Sequence, residues 1–328
     1  MASSGSVDFS LSRDNIIQSA LEDLVVMQPG DTVSSASFTA HSTMMARKLN
    51  MLCKQWMGTP DYAPGLKTWT NKRAYLFLQK GEGVYTLGPT TTATGATNKW
   101  ATSYVTTTIG AAEAAGQTVL TMTDGSIFSD TNRIGIQLNT GYIQWTTVSG
   151  APSGNDVTVA VALTSAAAAG NRVFGYATTA QGRRPLDILS AVLRDTNTTD
   201  SPMYPMSLLG YEGISVKISE TAPKQYYYEA QLTDGVLYFD SEVSDVTDVV
   251  RIVYASPTED FDAAGDDADY PQHWLRALAF GLVVDTCGAF GQEARMPYFK
   301  ALRDEALAIA RNANPETCDA YFSPGESG

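Results

Sequence analysis

Only two histidines occur in this 328-residue chain, His41 and His273. General base catalysis would have to start from one of them or from a carboxylate. His41 lies in a helix-like stretch, and His273 opens another beside Trp274. A nucleophile–His–acid triad needs three groups held in register, and no local signature supports one at either position. The chain contains no G-x-S-x-G elbow, no G-x-x-x-x-G-K-[ST] loop and no G-x-G-x-x-G after a strand. Its three cysteines, Cys53, Cys287 and Cys318, are far apart and form no C-x-x-C. Neither a zinc site nor a disulfide framework follows, and a reducing compartment is expected. The run "EDFDAAGDDADYP" clusters carboxylates as a Ca²⁺ or Mg²⁺ site would, but its spacing is not that of the twelve-residue calcium loop. It reads as a solvated turn whose last members, Asp267 and Asp269, favour the start of the next helix. No metal, no cofactor and no enzymatic activity are expected.

The remaining candidates are aromatic. "QYYYEAQLTDGVLYF" reads as a hairpin carrying Tyr226, Tyr227, Tyr228, Tyr238 and Phe239. Successive strand residues point to opposite faces, so Tyr227 should face one side and Tyr226 and Tyr228 the other. Tyrosine pairs well across strands and is enriched at protein interfaces. These five residues are therefore interface candidates. Base stacking is the rival use, but the net charge is −13 and no Lys/Arg run exceeds a pair (Arg47-Lys48, Lys72-Arg73, Arg183-Arg184). A surface that acidic repels a phosphate backbone.

The elements around them read as α+β. Residues 10–27 form a helix with Ser12 as N-cap and a stripe of Ile17, Leu21, Leu24 and Met27. A second helix runs from about Ser35 to Met57 with Phe38, Met45, Leu49, Leu52 and Trp56 on one face. "RAYLFLQKGEGVYTLG" reads as a hairpin around "KGEG". From Thr90 to Thr179 charge nearly vanishes and short β-prone runs alternate with Gly, Asn and Asp turns, an all-β module of barrel or sandwich kind. "LDILSAVLRD" and "DVVRIVYASP" read as strands, and "PMYPMSLLGYEGIS" as a short helix and loop. Two helices close the chain. The expectation is an antiparallel bundle built from the N- and C-terminal helix pairs, with a hairpin and sheet region. On that view residues 1–89 and 180–328 form the core, with a tail from about 314, and 90–179 is an insertion. No long internal repeat, no signal peptide and no bilayer-spanning segment are expected.

The order of segments resembles the head-to-tail adaptor (connector) proteins of short-tailed and related bacteriophages. "SRDNIIQSALEDLVVMQPGDT" with "MARKLNMLCKQWM" resembles their opening. "RRPLDILSAVLRD", "PKQYYYEAQLTDGVLYFDSEV" and "ASPTEDFDAAGDDADYPQHWLRAL" follow in the same order. The likeness covers roughly residues 10–88 and 183–315. The insertion is similar to small β domains carried by phage virion proteins.

The resemblance implies a non-enzymatic virion protein of the neck, made in the host cytoplasm. It would form a ring, usually of twelve copies, beneath the portal protein. Such a ring extends the DNA channel and gives the tail nozzle or tail tube a platform, with DNA only as passing cargo and no membrane partner. The C-terminal segment would dock into the portal, with Tyr321 and Phe322 as apolar anchors. The module would reach tail fibres or the capsid. The alternatives are a nozzle or tail-tube component, or a glycan-binding tail protein. The last would need paired carboxylates, and the module offers Glu113, Asp124, Asp130 and Asp156.

Overall fold

The computed structural model describes residues 9–35, 38–58, 68–89 and 99–313. Tyr321, Phe322 and the expected tail lie outside the described residues. The architecture is α+β, and the chain divides into two compact units. One joins Met1–Thr70 to Thr258–Gly328, and the other is Asn71–Pro257. The segment expected as an insertion lies wholly in the second unit, together with the strands on either side of it.

Five α-helices are described: α1 (Arg13–Asp23), α2 (Thr39–Gly58), α3 (Leu208–Glu212), α4 (Leu275–Thr286) and α5 (Met296–Asn312). All but α3 belong to the first unit. Ser12 caps α1, its side chain accepting from the Asn15 N–H at 3.4 Å, and Asp14 sits in the first turn. The helix stops short of the expected Met27 because Val25 adopts φ 60°, a left-handed conformation that breaks the helical ladder. The stripe is nonetheless buried: Ile17, Leu21, Leu24 and Met27 all lie in one core with Met45, Leu49, Leu52 and Trp56 of α2. That core also takes in most of α4, whose apolar side chains point in nearly every direction. A helix hydrophobic all round must be covered all round, and α4 packs against α1, α2 and α5.

Sixteen strands are described in the second unit. β1 (Asn71–Phe77), β2 (Val84–Pro89) and β3 (Trp100–Ala101) open it. β4 (Val105–Thr108), β5 (Val119–Thr121), β6 (Arg133–Gln137), β7 (Ile143–Thr147), β8 (Asp156–Thr158) and β9 (Arg172–Tyr176) make the module. β10 (Asp187–Arg194), β11 (Asp200–Pro205), β12 (Glu220–Thr221), β13 (Gln225–Ala230), β14 (Asp234–Phe239), β15 (Glu242–Val243) and β16 (Val249–Ala255) complete it. Part of "PMYPMSLLGYEGIS", expected as helix and loop, is strand: Pro202–Pro205 belong to β11, and only Leu208–Glu212 is helical.

Eight strands form one sheet in the order β2-β14-β13-β11-β10-β16-β1-β3. The expected hairpin around "KGEG" does not form. β1 pairs with β16 and β3, while β2 pairs with β14 at the far edge. Six strand spacings separate β1 from β2, about 29 Å in a flat sheet. The connection 78–83 reaches at most about 25 Å, so the sheet must curl. Its concave side is filled by Leu76, Tyr85, Leu87, Trp100, Tyr226, Leu237, Phe239 and Ile252, drawn from both ends of the strand order into one core. The hairpin signal misled because a turn motif specifies a reversal, whereas here the strands on either side find better partners across the curl.

The module has a four-stranded sheet, β4-β9-β6-β7, and a ribbon, β5-β8. "NTGYIQWTTV" forms the expected hairpin of β6 and β7. Two Ala-rich turns, 111–116 and 165–170, are related by a local two-fold. Glu113 and Ala167 exchange both backbone hydrogen bonds, Gly116 N–H donates to Leu163, and Gly170 N–H donates to Ile109. The short repeat "AAEAAGQTV" and "SAAAAGNRV" was the signal for this.

An aromatic seam joins module to sheet: Phe77 is fully buried against Trp145, Phe174 and Tyr176, with Val246 and Val249 beside them. Gln79 completes the junction. Its side chain accepts from the Ile143 N–H at 3.0 Å and donates to the Ile143 carbonyl at 2.8 Å, taking the place of a strand neighbour. Gln79→Leu strands two buried backbone groups of Ile143. We expect it to cost about 2–4 kcal/mol in urea unfolding, with Gln79→Glu also destabilising. A loss below about 0.5 kcal/mol would mean that the junction is wet.

Asp248, next to the seam, is pushed up to about 6 by burial first, then by Asp245 and Asp195, with Arg172 opposing. A carboxyl whose folded value exceeds its unfolded value near 4 holds its proton more tightly when folded. Its contribution to stability is therefore full below about pH 4 and is lost as pH rises through about 6. Asp248→Asn should raise the melting temperature at pH 7.5 and leave it unchanged at pH 4. Equal shifts at both pH values would rule out this origin.

Candidate interaction surface

The tyrosine hairpin forms as expected, β13 against β14, with Tyr226 opposite Phe239, Tyr227 opposite Tyr238 and Tyr228 opposite Leu237. The pleat sorts these residues as the strand period requires. Tyr226 and Phe239 are 3% and 2% exposed and belong to the concave core. They offer no surface, which corrects their place among the interface candidates: a curled sheet encloses one face of every strand. Tyr228 leans on the same core, and its hydroxyl donates to the Pro185 carbonyl at 2.6 Å. Its ring lies over Gly235, where a Cβ would come within 2.2 Å of the hydroxyl oxygen, so this strand position excludes side chains. Burial pushes the Tyr228 phenol upward from its usual value.

The convex face carries Tyr227 and Tyr238, half-buried and stacked at 5.7 Å. Tyr211 of α3 joins them, 5.0 Å from Tyr238 and 6.4 Å from Tyr227. Lys217 lies 4.2 Å over the Tyr211 ring, and its ammonium reaches Glu212 at 3.5 Å. The Tyr238 hydroxyl donates to Glu229 at 3.3 Å; burial, then that carboxylate, raises its pKa. The segment between β11 and β13 is thereby seated on the hairpin's outer face.

That segment leaves large apolar side chains bare. Tyr204 is 63% exposed, Leu209 84% and Ile218 75%, with Leu208 and Val216 more than half exposed. Ser207 caps α3, accepting from the Gly210 N–H at 3.1 Å, which fixes the two leucines at the helix start. The sequence reading of this stretch as a short helix and loop assigns it no surface role. The available signal was apolar residues, Leu208, Leu209, Val216 and Ile218, where a connecting segment is usually polar.

The other candidates are occupied by structural work. His41 packs edge-on against Phe290 at 5.2 Å, and His273 lies 6.4 Å from Trp274. In the acidic run, Asp266 accepts from the Asp262 and Ala263 N–H groups, and its carbonyl accepts from Arg13. The run thus binds the start of α1. The expected capping of the next helix by Asp267 and Asp269 does not form, since Asp269 accepts from Glu259 and the helical turn at 272–274 has no side-chain cap. Among the described residues no group of three or more His, Cys, Asp or Glu could hold a metal ion. Glu113 is buried and accepts from the Thr121 N–H, Asp124 and Asp130 close turns, and Asp156 accepts from the Thr121 hydroxyl. Each of these four thus holds a backbone or side-chain donor of the module's own turns and ribbon.

No protein family matches the chain, and no curated protein sequence matches it. Among solved structures, VP17, a capsid protein of bacteriophage P23-77, aligns at 9% identity over 57% of this chain and 83% of its own, with a TM-score of 0.12. A score that low is not a shared fold. No helix among the described residues is long and apolar enough to cross a membrane.

Proposed function

We propose that the chain is a virion structural protein, the head-to-tail adaptor that forms a ring beneath the portal and gives the tail its docking platform. Its four long helices would then act as the antiparallel bundle of such adaptors, and the module would reach outward to fibres or the capsid. The observation that supports this reading most is the bare apolar surface of Tyr204, Leu208, Leu209, Val216 and Ile218, in the segment seated through Tyr211 on the outer face of the β13–β14 hairpin. Surfaces of this size and composition serve contact between proteins. The order of sequence segments supplies the phage setting. Charge is consistent with a conduit. The first unit has 19 acidic and 10 basic residues, a balance of −9, and the second 16 and 12, a balance of −4, together the −13 of the chain. A wall without net positive charge does not hold DNA, which can then slide.

Mixing the purified chain with portal rings tests the reading. Co-sedimentation, and a second ring beneath the portal in electron micrographs, is the expected result. A chain that ignores portal and tail proteins, or that turns over a small substrate or a glycan, refutes it.

A further inference from the structure

We propose that the lobe formed by Tyr204, Leu208, Leu209, Val216 and Ile218 is where one copy of this chain grips a second copy. The inference deepens the ring reading and rests on it for its biological setting. Contiguity comes first. Tyr211 anchors the lobe to Tyr227 and Tyr238, and Lys217 lies over the Tyr211 ring. The two leucines precede Tyr211 on α3, Val216 and Ile218 flank Lys217, and Tyr204 lies on β11 beside β13.

Area comes second. The five exposed side chains amount to on the order of 600 Å², the upper end of what a lone chain leaves bare. The half-buried rings of Tyr211, Tyr227 and Tyr238 extend this toward the ~800 Å² that one partner gives a standard interface.

Charge selects the occupant. Two copies at −13 each repel, and most of that charge sits on the unit that holds the long helices, at −9. The stretch from Tyr204 to Tyr228 carries Glu212 and Glu220 against Lys217 and Lys224, a balance of zero, and Glu229, which accepts from the Tyr238 hydroxyl on the same face, brings it only to −1. A basic partner would be drawn to the acidic unit. An identical acidic partner can approach closely only where the surface is neutral and apolar.

Sedimentation velocity of the full chain alone, from low to high micromolar concentration, tests this. The expected result is concentration-dependent association that strengthens when salt is raised, because salt screens the repulsion and spares the apolar contact. Leu209→Glu with Ile218→Glu should raise the dissociation constant at least tenfold without changing the melting temperature. Leu189→Glu, at a site 50% exposed on β10, should leave association intact. A single monomeric species at every concentration overturns the inference, as does association that the lobe variant leaves unchanged or that salt weakens. If the wild-type chain stays monomeric while the lobe variant loses portal binding, the lobe grips a different protein: the inference falls and the adaptor reading stands.

Discussion

Replacing Phe77 by alanine is expected to cost the sheet unit about 3–5 kcal/mol, the range for truncating a fully buried aromatic. Phe77 is 0% exposed and is ringed by Trp145 at 5.0 Å, Phe174 at 5.2 Å, Tyr104 at 5.4 Å and Tyr176 at 5.7 Å, the last nearly parallel. It stands at the end of β1 and, with Ala101, Val249 and the half-buried Tyr75, carries the eight-stranded sheet into the module's aromatic cluster. Removing it leaves a cavity lined by large rings that cannot collapse without moving both sheets, which places the cost toward the upper end of the range. Phe77→Leu retains part of the volume and should cost roughly half as much. Trp145 fluorescence, reporting from inside the seam, should show the module loosening before the eight-stranded sheet unfolds. A loss under about 1 kcal/mol would mean that the seam contributes little and that the module stands on its own core of Ile134, Ile136, Val157 and Val173.

The second large effect is expected at Trp274. It too is 0% exposed, packed 5.5 Å from Trp69 and 6.2 Å from Trp56, and those two rings also meet Tyr270. Trp274→Ala should destabilise the first unit by about 3–5 kcal/mol in denaturant titration followed by helical circular dichroism. Trp274→Phe should cost much less, because the indole Nε1 has no hydrogen-bond partner among the described residues. Phenylalanine keeps most of the ring and removes a buried donor whose desolvation is uncompensated. If the phenylalanine variant were as damaging as the alanine one, the indole N–H would have to be bonded in solution.

Helix-forming segments were legible in the sequence because their instructions are local. Ser12 caps the turn that follows it, and Ile17, Leu21, Leu24 and Met27 recur at helical spacing, so one face had to be buried. The same holds for the "NTGYIQWTTV" hairpin and for the split of Tyr226 from Tyr227, which a period of two dictates. Strand partnership was not legible. β1 and β2 are separated by a turn motif, yet pair with β16 and β14, because a curled sheet offers both edges partners that no short-range signal names.

The candidate surface divides along the same line. That the hairpin tyrosines would show two faces followed from the chain alone. Which face would be enclosed did not, since either could have been concave; tertiary packing put Tyr226 and Phe239 inside and left Tyr227 and Tyr238 under α3. The bare leucines of the lobe were invisible for a related reason. Apolar side chains are inside by default, and only the position of every neighbour shows that Leu209 and Ile218 have nothing above them. Local periodicity thus determined the helices and the alternation of faces. Burial, being a sum over residues distant in the chain, was decided only by the tertiary structure.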